Sequence, residues 1–397
     1  MTLSYWQKLA RVRKDPPDDD LADHRSYDVV VIGAGLVGIA TAHYLKQLGC
    51  ERVLVLEKEF VGYGASGRNA GFLLSGLSEP YSRLLVGMGN DSAREIYSST
   101  IENHNLMARA ISDNDINCGY KRSGCYHLAV TRIERSELEE SANLLNRDGF
   151  DVEYLPVIRG PGGSKLSGYL GGFFNPVDGR IDPFAFVRGL ARDLDVIEGF
   201  EVKRIIKTNA TVELIGEKGQ IRSEMAVLAT NGYAPLLESY FQDLIFPVRG
   251  QMLASFPLSE NLLGESVYYA NFGYDYFTQT ADNTILMGGL RNRFIKQEIG
   301  YDDSSNPELQ NGLEDYIRDN LGIKVFRVDT RWSGVMGNTI DGLPLVGALP
   351  HNSAVLAAVG FNTHGFGLGM VIARDLAVAI MKNETSDILR RFSLKRF

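Results

Sequence analysis

One stretch near the start constrains this chain more than any other. Tyr27-Asp28-Val29-Val30-Val31-Ile32 is a β-rich apolar run that suits a strand buried on both faces of a parallel sheet. It runs directly into Gly33-Ala34-Gly35-Leu36-Val37-Gly38, and a helical stretch from Ile39 to Leu48 follows, closed by Gly49. A second strand, Val53-Leu54-Val55-Leu56, then delivers Glu57. Each part has a physical task. Gly33 allows the tight turn, Gly35 lets backbone approach a pyrophosphate, and Gly38 lets the helix pack close to the strand. The free N–H groups and positive dipole end of the helix hold a diphosphate. Glu57 follows Gly38 at the spacing of about 20 residues at which an acid accepts hydrogen bonds from ribose hydroxyls. The unit reads as a dinucleotide site; by itself it does not separate NAD from FAD.

Composition narrows the class. With 397 residues the chain is long enough for two domains, and its 44% hydrophobic and 23% charged shares are those of a globular protein. Lys and Arg number 41 against 49 Asp and Glu, a net charge of −8, so no basic face for nucleic acid is expected. Glycine is abundant at 42 residues, and the glycines are grouped, as backbone contacts to a ligand require. Cys50, Cys118 and Cys125 read as reduced thiols of a cytoplasmic protein, and their spacing fits no zinc pattern, so no metal is expected. The longest apolar stretch, Val29 to Ala42, is broken by three glycines and is shorter than the ~20 residues a bilayer needs, so no integral membrane segment is expected. No signal peptide is visible in residues 1–26. The segment with Tyr5 and Trp6 reads as a short amphipathic helix packed on the core, and Lys14 to Ser26 as a polar lead-in.

A second string specifies the nucleotide. Gly62-Tyr63-Gly64-Ala65-Ser66-Gly67-Arg68-Asn69-Ala70-Gly71 resembles the loop of the D-amino-acid oxidase/sarcosine oxidase superfamily of FAD enzymes, and most of all the branch containing gamma-glutamylputrescine oxidase. The resemblance implies that Ala65, Ala70 and Gly71 let backbone pass beside FAD and that Asn69 sits near the ring. Ser66 and Arg68 offer a hydroxyl and a cation suited to a diphosphate. Leu36, Val37 and Lys58 join the glycine turn and Glu57 as implied cofactor contacts.

The resemblance extends over nearly the whole chain. Gly171 to Phe174 and Asp178 to Pro183 look like the family's segment before a helix, although Asp182 and Pro183 are also a plain N-cap and N1 pair. Val202 falls in a strand that passes the adenine in this family. Ala229, Thr230 and Asn231 are similar to the turn closing over the diphosphate, and Phe246 to Gln251 to a crossover strand. Near the C-terminus, Val355 to Val359 feeds Gly360-Phe361-Asn362-Thr363-His364-Gly365-Phe366-Gly367, followed by a helix of roughly Met370 to Met381. In the family this turn faces the pyrimidine edge of the flavin, which implies Gly360, His364, Gly365, Phe366 and Gly367 as contacts. A helix N-terminus there stabilises negative charge on a reduced flavin by roughly 0.3–2 kcal/mol. His364 either adds to this or is a packed histidine satisfied by backbone.

The implied fold class is α/β: a discontinuous Rossmann-type, glutathione-reductase-like FAD-binding domain (1–85, 170–240 and 330–397) with an antiparallel-sheet substrate domain (86–169 and 241–329). Alternating stretches at Cys125 to Val130 and Tyr274 to Thr278 support strands in the latter. Arg159 to Gly168 reads as a surface loop.

The shared reaction implied is oxidation of a C–N bond of an amine or N-substituted amino acid to an imine, by hydride transfer to flavin N5. The cofactor carries the chemistry, so no catalytic base is nominated. The chain departs from its relatives in four places. Gly334 stands where sarcosine oxidases carry the cysteine bonded to FAD, which implies non-covalent FAD. Met336 replaces the arginine that grips a carboxylate in glycine oxidases, and a thioether cannot do so. Ile285 to Leu290 lacks the lysine that promotes reaction with oxygen, so either oxygen or another acceptor such as a quinone is implied. Arg291 and Arg293 follow Gly289 and read as either solvated or substrate-facing. His364, Arg291 and Met336 are the candidates for lining the pocket, and Tyr274, Tyr276, Phe277, Phe361 and Phe366 read either as an aromatic wall or as core packing. The alternatives are an amino-acid oxidase or dehydrogenase using Arg249 or Arg291, and a flavin-holding subunit that serves a partner.

Overall fold

The structure, a computed structural model, describes residues 2–11, 26–159, 168–208 and 211–397. The lead-in and most of the surface loop expected at Arg159 to Gly168 lie outside the described residues.

Two eight-stranded sheets organise the described chain. In the first, Asn352–Val359, Gly219–Leu228, Ser26–Ile32, Val53–Leu56 and Val196–Ile197 run parallel in that order, with Leu345–Leu349 antiparallel at one edge. Val29 to Ile32 and Val53 to Leu56 are buried throughout, as continuous apolar strands of a doubly covered parallel sheet must be. Val202–Lys207 and Val212–Gly216 form an antiparallel extension on the first half of Gly219–Leu228. The helix Leu36–Gln47 packs on this sheet beside the helix Gly365–Lys382, and Ile39, Ala40, Ala42 and Leu45 meet Met370, Ile372 and Ala373 in one core.

The second sheet has the order Val328–Thr339, Ile245–Ser255, Ile285–Gly289, Asp275–Gln279, Val267–Ala270, Cys125–Leu128, Gly172–Asn175, Glu153–Leu155. It is antiparallel except where Val267–Ala270 meets Cys125–Leu128. Its composition differs from the sequence boundaries. Gly172–Asn175 and, from Thr330 onward, Val328–Thr339, assigned above to the FAD-binding pieces, hydrogen-bond into this sheet. The helix Asn90–Asp113, assigned to the substrate pieces, packs its Ile96, Leu106 and Met107 into the core of the first. Sheet membership depends on partners distant in sequence, such as Gly250 opposite Gly334, which local patterning does not encode.

The C-terminal helix begins at Gly365 rather than near Met370. Asn103, fully buried on the neighbouring helix, donates to Phe366 O at 2.7 Å and accepts from Met370 N at 2.8 Å. These are the two backbone groups that an α-helix pairs with each other. The carboxamide supports a glycine-rich first turn that has little helix propensity of its own. At the other end of the chain, Tyr5–Leu9 forms the expected short helix, with Tyr5, Trp6 and Gln7 buried.

Candidate functional site

A cavity of about 530 Å³ runs between the two sheets. At one end it is lined by Gly33, Gly35, Leu36, Val37, Glu57 and Lys58, and by Phe200, Val202 and Lys203. At its middle lie Ala65, Ser66, Arg68, Asn69, Ala70, Ala229, Thr230 and Asn231, with His364, Gly365, Phe366 and Gly367 from the second turn. The other end reaches Tyr269, Tyr274, Tyr276, Arg291, Gly334 and Met336 on the second sheet. The two glycine-rich turns, far apart in sequence, therefore face one space.

The first turn is built as its sequence requires. Gly33 has φ +105, and a Cβ there would lie 2.8 Å from Ala229 O. Gly38 does not line the cavity; a Cβ on it would lie 1.9 Å from Gly33 O, so it secures close helix packing. The helix starts at Leu36, so the N–H groups of Val37 and Gly38 have no intrahelical acceptor. Glu57 is buried; its two oxygens accept Ala34 N at 2.8 Å and Glu59 N at 3.0 Å. Burial raises the Glu57 pKa, and those two N–H groups oppose the rise. Asn231 ties the turn after Gly219–Leu228 to the second glycine-rich turn, its Oδ1 accepting Gly360 N and Phe361 N at 3.1 and 3.2 Å.

Several expected contacts take other roles. Arg68 is buried, and its guanidinium is committed to Asp303 at 2.7 Å, Ser333 O at 2.8 Å, Tyr63 O at 2.9 Å and Thr2 O at 2.7 Å. It lines the cavity without a spare cationic edge for a diphosphate. Ser66 Oγ accepts Leu36 N at 2.8 Å and so holds the loop to the helix start. Asn69 bonds Ala65 O, Ser66 O and Gly71 N, which fixes its own turn. Gly71 and Gly360 do not line the cavity. Both have positive φ, and a Cβ would crowd Ile181 O at 2.3 Å or Thr339 at 2.5 Å. Asp182 is the N-cap of Pro183–Leu190, accepting Phe184 N and Ala185 N.

At the second-sheet end, strand alternation sorts the aromatics. Tyr276 faces the cavity, whereas Phe277 points to the opposite core. Tyr269, not singled out from the sequence, lines the cavity while its neighbour Tyr268 does not. The period-two pattern was legible there, but which face meets the site depends on the register. Burial pushes the Tyr276 phenol up to about 12 and the Tyr269 phenol higher, so both are donors at neutral pH. Arg291 is half-buried, lines this end and lies 5.4 Å from the Tyr274 ring centroid. It forms no ion pair among the described residues. Arg249, by contrast, is buried against Glu298 and away from the cavity. Burial lowers the His364 pKa to about 4, so its imidazole is neutral and adds no positive charge.

Tyr269 and His364 also wall a second cavity of about 50 Å³ that contains His127. Cys125, His127 and Asp178 bring ligand-type atoms within 4.8 Å of one another. Asp178 accepts Ser75 N at 2.8 Å and lies 3.5 Å from His127 Nε2, and burial pushes the Cys125 thiol far up. Protein partners account for the Asp178 carboxylate without an ion.

The middle of the main cavity has the features a dinucleotide requires: close-packed glycines, two helix starts and the buried, unpartnered Thr230 Oγ1. No helix among the described residues is long and apolar enough to cross a membrane. Residues 28–379 match the family described as FAD dependent oxidoreductase, DAO. Gamma-glutamylputrescine oxidoreductase of Escherichia coli is 27% identical over 378 residues, covering 92% of this chain and 85% of that protein. L-proline dehydrogenase from P. horikoshii superposes with a TM-score of 0.77 at 22% identity, over 94% of this chain and 98% of that one. Glycine oxidase from Geobacillus kaustophilus gives 0.76 at 21%, over 94% and 99%. With its two turns meeting in one cavity and this match along most of its length, the chain belongs to the DAO family of FAD dependent oxidoreductases.

Proposed function

We propose that this chain oxidises the C–N bond of an amine or an N-substituted amino acid to an imine, using non-covalently held FAD. The observation that carries the reading is the one cavity reaching from both glycine turns to an apolar wall of Tyr276, Met252 and Met336. Bound there, FAD supplies the acceptor for the electron pair that leaves the substrate carbon. Gly33, Gly35 and the start of the Leu36 helix would hold the diphosphate, and Glu57 the ribose. Gly334 offers no side chain for a covalent bond, and among the described residues no cysteine lines the cavity. Met336 and Met252 exclude water beside the reacting carbon, and the protonated Tyr276 phenol donates to a substrate acceptor. Neutral His364 accepts a hydrogen bond from an amine N–H without keeping the proton. The name of the Escherichia coli relative supports an amine substrate. Re-oxidation uses oxygen or another acceptor such as a quinone, and the buried free cysteines support a cytoplasmic setting.

The second reading is an amine that also carries a carboxylate. The specific observation favouring it is Arg291, a cavity-lining cation with no acidic partner among the described residues. Anaerobic mixing with a panel of amines and amino acids, followed by air, tests both. Bleaching of the flavin band by any C–N substrate supports the function, and re-oxidation in air identifies oxygen as acceptor. A yellow protein bleached by no member of the panel would sink the reading in favour of a flavin-holding subunit.

A further inference from the structure

The short N-terminal helix touches no part of the cavity, yet its side chains are spent on the loop that forms the cavity's middle. Ser4 Oγ donates to Gly67 O at 2.6 Å, and Trp6 Nε1 to Asn69 O at 2.9 Å. Gln7 Nε2 donates to Gly62 O at 3.2 Å and Tyr63 O at 3.0 Å. Four carbonyls of one ten-residue loop thus take their donors from three consecutive-turn side chains, two of which, Ser4 and Gln7, are fully buried. Thr2 adds a fifth tie, its carbonyl accepting from Arg68. The fit is tight: a Cβ on Gly67 would lie 3.2 Å from Gln7 Nε2, and one on Gly71 2.9 Å from the Trp6 ring.

The same helix reaches the other sheet. Thr2 bonds Asp303, the Tyr5 hydroxyl bonds Asp282, and Lys8 pairs with Asp329 at 2.7 Å. Asp282 sits in the turn between two roof strands, Asp275–Gln279 and Ile285–Gly289. The helix therefore bridges the loop beside the cofactor space and the roof above it.

The loop needs such support. Four of the ten residues from Gly62 to Gly71 are glycine, the residue that loses most backbone freedom on ordering. A ligand binding a loop that is ordered only part of the time has its affinity reduced by that fraction. We propose that residues Thr2 to Leu9 are a positioning strap that pre-orders the 62–71 loop for FAD and couples it to the substrate-side sheet. This rests on the FAD reading given above.

The test measures FAD affinity of flavin-stripped protein by quenching of flavin fluorescence, with the full chain. Gln7→Met keeps the side-chain volume and deletes both donors, and Trp6→Phe keeps a ring and deletes the third. The double variant is expected to bind FAD 10- to 100-fold more weakly, with an altered visible circular dichroism band of whatever flavin remains bound. The melting temperature of the flavin-free protein is expected to move far less than that of the loaded one. Affinity and flavin dichroism within twofold of wild type would overturn the strap. Should the double variant not fold, Trp6→Phe alone reads the same quantity: a threefold or larger loss supports the proposal, and an unchanged affinity overturns it. Wild-type protein that binds no FAD would remove the cofactor reading itself, an outcome distinct from tight wild-type binding with indifferent variants.

Discussion

Arg68 and Asp303 meet at 2.7 Å beside the cavity, joining the cofactor loop to the stretch before the helix Pro307–Asp319. Only 4% of the Arg68 side chain is exposed, so removing its anion leaves a cation with little water to replace it. Asp303 is more exposed, at 28%, which limits the cost. Asp303→Asn is expected to lower stability by about 1–3 kcal/mol. Burial acts to raise the Asp303 pKa, but hydrogen bonds from Thr2 and Arg68 outweigh it and hold the carboxyl below its ordinary value of 3.8. A carboxylate depressed in the fold contributes stability that is complete above its unfolded pKa and lost as pH falls through its folded one. Urea titrations below about pH 4 should show this loss in wild type and not in Asp303→Asn.

The pair also marks the limit of what a sequence carries. The strand–turn–helix–strand unit from Tyr27 to Glu57 was legible because every part is local: glycine spacing, an apolar run and an acid at fixed distance. Gly33 turns the chain and Gly38 packs the helix closely, as the spacing predicts, and Gly33, Gly35 and Glu57 line the cavity. Arg68 was legible as a residue of the loop but not in its role, since its partner lies 235 residues away. Phe277 and Tyr269 show a related limit. Alternation says that neighbours face opposite sides, but only the completed sheet says which side is the site. The sequence leaves His364 open between charge donor and packed group; burial in the fold lowers its pKa to about 4 and favours the neutral form.

Asn103 offers a cleaner test of how the second turn is built. Its carboxamide satisfies Phe366 O and Met370 N at once, at a fully buried position. Asn103→Leu has similar volume and deletes both bonds, and is expected to cost about 2–4 kcal/mol. Asn103→Asp keeps the acceptor for Met370 N and loses the donor to Phe366 O. Equal denaturation midpoints for Asn103→Leu and wild type would show that the helix start does not depend on it.

His364 should control stability in mildly acidic solution. Its unfolded pKa is near 6.5 and its folded one about 4, chiefly through burial. Between these values the unfolded chain holds more protons, so stability falls as pH drops from about 6.5 toward 4, by roughly 3 kcal/mol over the full window. His364→Gln removes this component. His43 and His104 are lowered in the same direction but are common to both proteins, so the difference between the two curves isolates His364. Because the imidazole is already neutral above pH 6, the substitution should leave the shape of the pH–rate profile there unchanged, whatever it does to the rate.

Arg291 separates the two substrate readings. A guanidinium held against Tyr274 at the roof end, near the Tyr269 and Tyr276 phenols, presents three donor groups to one region of the cavity. A carboxylate bound there gains a charge-assisted bond worth about 1.5–3 kcal/mol, and a neutral alkylamine gains nothing from it. Arg291→Ala is therefore expected to raise KM for carboxylate-bearing amines by roughly 10- to 100-fold while sparing simple amines, with kcat little changed because the contact forms equally in ground and transition states. Met336→Ala, which opens the apolar wall, should instead impair both classes. If Arg291→Ala leaves the ratio of KM values for acidic and neutral substrates untouched, the arginine is solvent-facing decoration and the amine reading stands without a carboxylate.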